Sequence, residues 1–529
     1  MHRAQRGPRA HHRGDPAMTE PVVVVGGGPV GLVAALLLAR WGVPTVVCEA
    51  APAREPVGSK SICVQRDVLD VYHRVGVADA LLAEGVTWHV GRTYHRGREL
   101  FTTTFPDPGR SAYPGFINIG QAAVERHLVA AVAAQPLVEL RYDAQVTAVD
   151  TDAHGVTVTA GGRCVRGSHL LGADGSRSTV RRLLGVGFPG RSFGDRFLIA
   201  DIRAELPFPA ERRFHFDPEW NPGRQVLVHP QPDSVWRIDW QVPDDHDPET
   251  DRASGRLDER IRRITGDTPY EIVWLSVYRF HQRLADTFRV GRVLLAGDAA
   301  HLMSPFGARG LNSGVQDAEN AAWKIAYERA GWAGPHLADS YTAERRAAAA
   351  ENLRVTGETM RFLVPGDEDQ WRRRREILDA AADPATRVAV DSGKLAEPFW
   401  YVDSPLSTGS PPADFPRGAA QPRPPVAGVL CPDGPVTAPG AGRLRELFGR
   451  GFVLLTHNVD VPVPVDPGSG PLSIYRLDEI DREGVATTAL RARPGWAALV
   501  RPDGHLAAVL DAPTPDAVTR AWRTARGLG

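Results

Sequence analysis

The chain has 529 residues, room for about two to four domains at roughly 100–200 residues each, and its balance of 43% hydrophobic to 24% charged residues is that of a globular protein. With 62 Lys and Arg against 63 Asp and Glu the net charge is −1, which offers no basic footprint for nucleic acid. The longest apolar run, about Val30 to Ala39, is far shorter than the roughly 20 residues needed to span a bilayer. Cys48, Cys63, Cys164 and Cys431 are scattered, with no CxxC; this excludes a disulfide framework or cysteine zinc site and fits free thiols in the cytoplasm.

Residues 1–19 are basic and His-rich and lack an apolar core, so they read as a disordered extension, with Met18 as an alternative start. Val22-Val23-Val24-Val25 is a β-branched run of the kind buried in parallel sheets. Gly26-Gly27-Gly28-Pro29-Val30-Gly31 follows, then a helix over Leu32 to Trp41 and a second strand over Thr45 to Cys48, which completes a β-α-β unit. The spacing of apolar residues predicts helices over Asp67 to Ala83 and Gln121 to Ala134, and residues 145–171 read as short strands. From 190 to 285 the strands lengthen and alternate, as in Trp236-Arg237-Ile238-Asp239-Trp240; this is a mixed sheet inserted between two halves of the nucleotide-binding domain, 20–189 and 286–403. Residues 292–296 form another strand, and a helix runs from about Asn312 to Ala330. Residues 404–427, rich in Pro, Gly and Ser, mark a linker, and 428–529 read as a small α/β domain.

Three motifs carry chemistry. In Gly26-x-Gly28-x-x-Gly31 the glycines allow a tight turn, close approach of a pyrophosphate and close helix–strand packing. The helix start then offers free N–H groups to phosphates. Glu49, 18 residues past Gly31, is placed to accept hydrogen bonds from ribose hydroxyls. The second motif is Gly172-Ala173-Asp174-Gly175-Ser176-Arg177, a strand ending in a turn that by itself is ordinary. The third, Gly297-Asp298-Ala299-Ala300-His301 followed by Pro305-Phe306-Gly307-Ala308-Arg309-Gly310-Leu311-Asn312, delivers an Asp into a loop that opens a helix. Asp298 suits a polyol chain, and the N–H groups at the helix start suit a ring carbonyl that gains negative charge.

In this order the motifs resemble those of the group A FAD-dependent aromatic hydroxylases, the para-hydroxybenzoate and phenol hydroxylase family. The likeness is nearest to the branch of 3-(3-hydroxyphenyl)propionate and polyketide hydroxylases. It covers roughly residues 20–400 and includes Ser61 to Arg66, Gly120-Gln121-x-x-Val124-Glu125-Arg126 and Gln316 to Lys324. The resemblance implies an α/β chain with an α+β insert: a Rossmann-like FAD-binding domain, an inserted mixed β-sheet substrate domain and a C-terminal thioredoxin-like domain. The last lacks CxxC, so packing or dimerisation is expected of it rather than dithiol chemistry.

By the same resemblance, Gly26, Gly28, Gly31, Glu49, Gln121, Asp174, Gly297, Asp298, Gly310, Leu311 and Asn312 would hold FAD, with Asp174 also serving the nicotinamide cofactor. The Pro305 carbonyl would lie near the reacting edge of the flavin. Many relatives have Arg where this chain has Lys60, which as a point charge is a poorer phosphate ligand; Arg66 is the expected substitute. A single dinucleotide fingerprint implies that NADPH (or NADH) visits as a transient co-substrate. The resemblance then implies reaction with O2 through a flavin C4a-hydroperoxide and hydroxylation of a phenolic or polycyclic aromatic small molecule. Baeyer–Villiger oxidation on the same fold and non-catalytic FAD binding are the alternatives. The WxWxIP signature of flavin halogenases fails at Trp236 and Trp240, and no metal constellation is present. His229, Arg237 and Asp239 are the expected substrate-facing polar residues, if their face of the sheet meets the flavin rather than solvent. Tyr278 and His281 are further candidates, while His301 reads as a local hydrogen-bonding residue.

Overall fold

The computed structural model describes residues 20–54, 61–105, 113–419, 421–463 and 467–529; the expected extension 1–19 and Lys60 lie outside the described residues. A six-stranded sheet forms the centre, in the order Arg289–Val290, Val293–Leu295, His169–Gly172, Val22–Val25, Thr45–Cys48, Val138–Arg141. All neighbours run parallel except the two-residue edge strand Arg289–Val290. Every residue of Val22–Val25 is buried, as a β-branched strand covered on both faces should be. Helix Pro29–Arg40 follows the glycine loop with Pro at its first turn, and helix Arg309–Arg329 packs against it. Gly314 permits that approach: a Cβ there would lie 2.7 Å from Val30 Cγ2.

The parallel topology has a direct consequence for the motifs. The glycine loop, Glu49, Asp174 and Gly297–Asp298 each follow the carboxyl end of one of four adjacent strands. They therefore line up along one sheet edge, where open α/β sheets bind ligands.

The second sheet has eight strands, in the order His301–Leu302, Glu271–Leu284, Gly190–Arg203, Val235–Val242, Gln225–Pro230, Arg212–Phe216, Val90–His95, Arg98–Thr104. It extends beyond the expected 190–285 segment, because the hairpin of 90–104 pairs in parallel with Arg212–Phe216. Strand Val90–His95 alternates half-buried and buried residues, a pattern equally compatible with a sheet of its own. The helix expected over Asp67 to Ala83 is broken into Arg66–Arg74 and Ala78–Glu84 at Gly76, whose φ is +79°.

The C-terminal region forms a four-stranded mixed sheet, Leu472–Arg476, Phe452–His457, Trp496–Val500, Leu506–Asp511, backed by helix Pro515–Ala525. Residues 404–427 lack helix and strand among the described residues, as expected of the composition, but they are a packed strap rather than a loose linker. Leu406 and Phe415 are buried and Thr408 N–H donates to the Ala507 carbonyl (2.8 Å).

Candidate active site

The glycine loop is shaped for an extended phosphate ligand. Gly26 has φ +106° and a Cβ there would collide with the Ala173 carbonyl; a Cβ on Gly31 would collide with the Gly26 carbonyl. Gly28 differs, since a Cβ there would meet nothing within 4 Å. The open space at Gly28, with the start of helix Pro29–Arg40 beside it, leaves room for an anionic ligand to approach the backbone. Glu49 Oε2 accepts from Gly27 N–H (2.6 Å) and Oε1 from Ala51 N–H (2.9 Å), which fixes the carboxylate at the strand end.

Arg54 is a residue the sequence reading missed. Its Nη1 donates to the Gly27 carbonyl (2.6 Å) and its Nε to Glu125 Oε2 (3.0 Å), while Gln121 Nε2 donates to Glu125 Oε1 (2.8 Å). Arg66, expected to substitute for Lys60, donates through Nε to the Tyr113 carbonyl (2.8 Å). The guanidinium at the glycine loop is thus Arg54. Its signal was its place, five residues beyond Glu49 in the loop after the second strand.

Asp174 accepts from the Ser178 hydroxyl (2.5 Å) and from the N–H groups of Thr179 and Val180 (2.7 and 3.1 Å). These bonds cap the short helix Thr179–Leu183, a structural task the sequence reading did not assign to it.

The Gly297–Asp298 turn leaves Asp298 exposed while Gly297 N–H donates to buried Asp317 (2.9 Å). Asp317 also pairs with His301 Nε2 (2.7 Å) and Arg345 Nε (2.6 Å). Burial pushes its carboxyl up, but the Arg345 guanidinium and the hydrogen bonds from His301 and Gly297 outweigh it and hold the carboxyl below the usual range. His301 is fully buried in this network, the local role expected of it.

Beyond Pro305 the chain turns sharply. The Pro305 carbonyl accepts from Ala308 N–H (2.9 Å), and Ala308 takes φ +56° as the residue before helix Arg309–Arg329. Arg309, Gly310 and Leu311 occupy the first turn, whose N–H groups have no acceptor within the helix. A Cβ on Gly310 would meet nothing within 4 Å, so a ligand can approach the backbone there. Asn312 acts through its side chain: Oδ1 accepts from Gln65 N–H (3.0 Å), and Nδ2 donates to the carbonyls of Cys63 (3.0 Å) and Ala308 (2.6 Å).

The two faces of the eight-stranded sheet are sharply different. Trp236, Ile238 and Trp240 point to the outer face, where they pack with Leu198, Ala200, Val226 and Val228 under helix Arg256–Thr265. Arg237 and Asp239 are on the opposite, inner face, toward the FAD-binding domain rather than solvent. Phe306 anchors that contact, with its ring 5.6 Å from Phe197 and 6.0 Å from Phe280. Register aligns His229, Arg237, Asp201 and Trp274 in one row and Leu227, Asp239, Ile199 and Ser276 in the next.

Arg237 holds Asp201 with two bonds of 2.8 Å, and Gln231 adds a third at 2.9 Å. Asp239 Oδ1 is buried without a hydrogen-bond partner, and burial raises its carboxyl to about 7, against the pull of Arg237 and Arg212. Burial and the same two guanidinium groups push His229 well below its usual range, so its ring is neutral. Arg212 lies one residue before Arg213, which pairs with Val228, and so comes level with His229; the sequence reading missed it. Tyr278 is raised by burial and by the Asp298 carboxylate, and its ring lies 5.6 Å from that of Phe280. His281 instead bonds Ser192 Oγ (2.8 Å) near the far end of its strand.

A family model described as an FAD binding domain matches residues 19–356. The 3-(3-hydroxy-phenyl)propionate/3-hydroxycinnamic acid hydroxylase of Paraburkholderia xenovorans is 33% identical over 363 residues, 67% of this chain but only 57% of that protein. The 12-dehydrotetracycline 5-monooxygenase/anhydrotetracycline 6-monooxygenase of Streptomyces rimosus is 31% identical over 527 residues, covering 96% of this chain and 99% of that one. Among solved structures, the flavin-dependent monooxygenase PieE in complex with FAD and substrate shares the fold, with a TM-score of 0.80 at 24% identity over 96% of this chain and 99% of that one. Both the motifs along the sheet edge and these likenesses agree, and the chain belongs to the FAD-binding-domain family that holds these hydroxylases and monooxygenases.

Proposed function

We propose that the protein is an FAD-dependent, NAD(P)H-consuming monooxygenase that hydroxylates a phenolic or polycyclic aromatic small molecule. The observation that carries this reading is the meeting of the FAD cradle with the aromatic inner face of the large sheet, joined at Phe306. FAD, when bound, supplies electron transfer and oxygen activation. The residues of the chain then have separable tasks. The Gly26–Gly31 loop and its helix bind the pyrophosphate, Glu49 the ribose and Asp298 the polyol chain, with Arg54 adding charge at the loop. The first turn of helix Arg309–Arg329 offers N–H groups to the ring end. Phe197, Phe214, Phe280 and Phe306 exclude water and stack an aromatic substrate, and His229, Arg237 and Asp239 orient its polar group.

The test is NADPH and O2 consumption by the purified yellow protein, with and without a panel of phenols and quinones, with products followed by mass. Aromatic-stimulated NADPH loss with gain of one oxygen is expected. Product structure separates ring hydroxylation from oxygen insertion beside a ketone. A protein that stays colourless after FAD addition overturns the reading.

A further inference from the structure

We infer that Asp239 is the base that takes the proton from a ring hydroxyl of the bound substrate, with Arg212 placed to hold the oxyanion that results. The inference rests on the proposed function for its substrate class and goes further in naming the proton acceptor and its partner. It begins from position. Asp239 is the one charged side chain in its row of the inner face, between Leu227 and Ile199, and both of those pack in the cluster that contains Phe306. Its Oδ1 is buried and lacks a hydrogen-bond partner, which is costly unless a ligand completes it.

The neighbouring groups exclude the other acceptors. Asp201 already receives both nitrogens of the Arg237 fork and the Gln231 amide. His229 stands beside Arg212 and Arg237, so protonating it would put a third positive charge among two guanidinium groups. Asp391 and Cys63 also act on Arg212. Arg212 donates to the Ser392 carbonyl and has no carboxylate ion pair among the described residues, unlike Arg237. In the transfer, the O–H bond of the ring hydroxyl breaks and a new O–H bond forms on the Asp239 carboxylate. The electron pair stays on the ring oxygen, so one negative charge moves from carboxylate to substrate and nothing is oxidised. The electron-rich ring that results is the form an electrophilic oxygen attacks. The ordinary carboxyl is too acidic for this exchange; burial brings Asp239 to about 7, much closer to a phenol.

The experiment reads ionisation rather than turnover. FAD-loaded protein is titrated with 2-naphthol without NADPH; free 2-naphthol is un-ionised near neutral pH, and its naphtholate absorbs at longer wavelength. 2-Methoxynaphthalene, which has no proton to give, is the blank. The wild-type protein is expected to bind naphtholate at mildly alkaline pH without releasing a proton to a weakly buffered medium. The band should fade as pH drops through about 7, where Asp239 is already protonated. In Asp239→Asn with wild-type FAD content the band should fall at least about ten-fold, and Asp239→Glu should restore part of it. Retention of the band in Asp239→Asn, proton release to the medium, or a wild type that binds 2-naphthol un-ionised or not at all would each overturn the inference. Because NADPH is absent, these outcomes are independent of the oxygenation assay, whose failure alone would count against the proposed function.

Discussion

Gly28 and Gly31 sit three residues apart, yet the space around them predicts different fates for the same substitution. Gly31→Ala drives a methyl into the Gly26 carbonyl and should destabilise even the FAD-free protein by about 1–3 kcal/mol. Gly28→Ala meets nothing in the chain, so the FAD-free melting temperature should be unchanged while FAD affinity falls; thermal scans with and without FAD separate the two. Asp239 makes a residue-scale prediction of its own. Below the ordinary carboxyl range both folded and unfolded chains bind its proton. Between that range and about 7 only the folded chain does, so this group's contribution lowers stability as pH rises through that window. Asp239→Asn should remove that slope, as read from urea midpoints at a series of pH values. The placement of glycines 26, 28 and 31, Glu49 and Asp298 at the ends of adjacent strands was legible in the sequence because backbone freedom or charge at fixed spacing is local. Arg54 and Arg212 were not, because a guanidinium's destination depends on which loop or strand comes to face it.

At the scale of elements, helix Arg309–Arg329 does the most to position the site. Its first turn leaves open space at Gly310, Asn312 bolts it to strand Cys63–Gln65, and Asp317 reaches back to the Gly297–Asp298 turn. Asp317→Asn leaves Arg345 and the turn without their shared carboxylate. A loss of about 3–5 kcal/mol is expected, as for one partner of a buried ion pair, together with weaker FAD binding measured by flavin fluorescence. The period-two pattern of Trp236 to Trp240 correctly separated the two faces of its strand. Which face met the FAD-binding domain was not in that pattern, since Arg and Asp alternate with Trp and Ile in the same way on either choice; Phe306 docking against Phe197 and Phe280 made it.

At the scale of the whole molecule, the C-terminal region is fastened to the FAD-binding helices by buried charge. Arg501 is fully buried and bonds both Glu344 (2.5 and 2.9 Å) and Asp503, while Lys324 reaches Glu344 (2.7 Å). Arg443 and Arg445 both hold Asp70 across the same junction, beside the Arg74–Glu319 pair that ties two helices of the FAD-binding domain together. Arg345, next to Glu344, donates to the Tyr401 hydroxyl (2.7 Å) and to Asp317, so the junction continues to the turn that bears Asp298. Arg501→Met removes the guanidinium that Glu344 and Asp503 share in the interior and should cost about 3–5 kcal/mol, seen as a lower urea midpoint and faster FAD release. Arg501 and Lys324 overcome burial to hold Glu344 below its usual range, and Arg501 and His505 do so for Asp503. Their folded-state pKa values are depressed, so their stabilisation is full above the ordinary carboxyl range and is lost only as pH falls through the lowered values. Mild acid should therefore leave the junction intact.

The sequence by itself determined the β-α-β unit, the order of the three cofactor motifs, the presence of a strand-rich insert and the absence of a CxxC. Each of these is written in neighbouring residues, as periodicity, glycine spacing or residue type. Only the tertiary structure decided that the hairpin of 90–104 joins the large sheet, that residues 404–427 are a packed strap and that Asp239 lies on the inner face with a buried, unpartnered oxygen. Those outcomes depend on pairings between segments far apart in the chain, where many partners satisfy the local pattern and packing selects one.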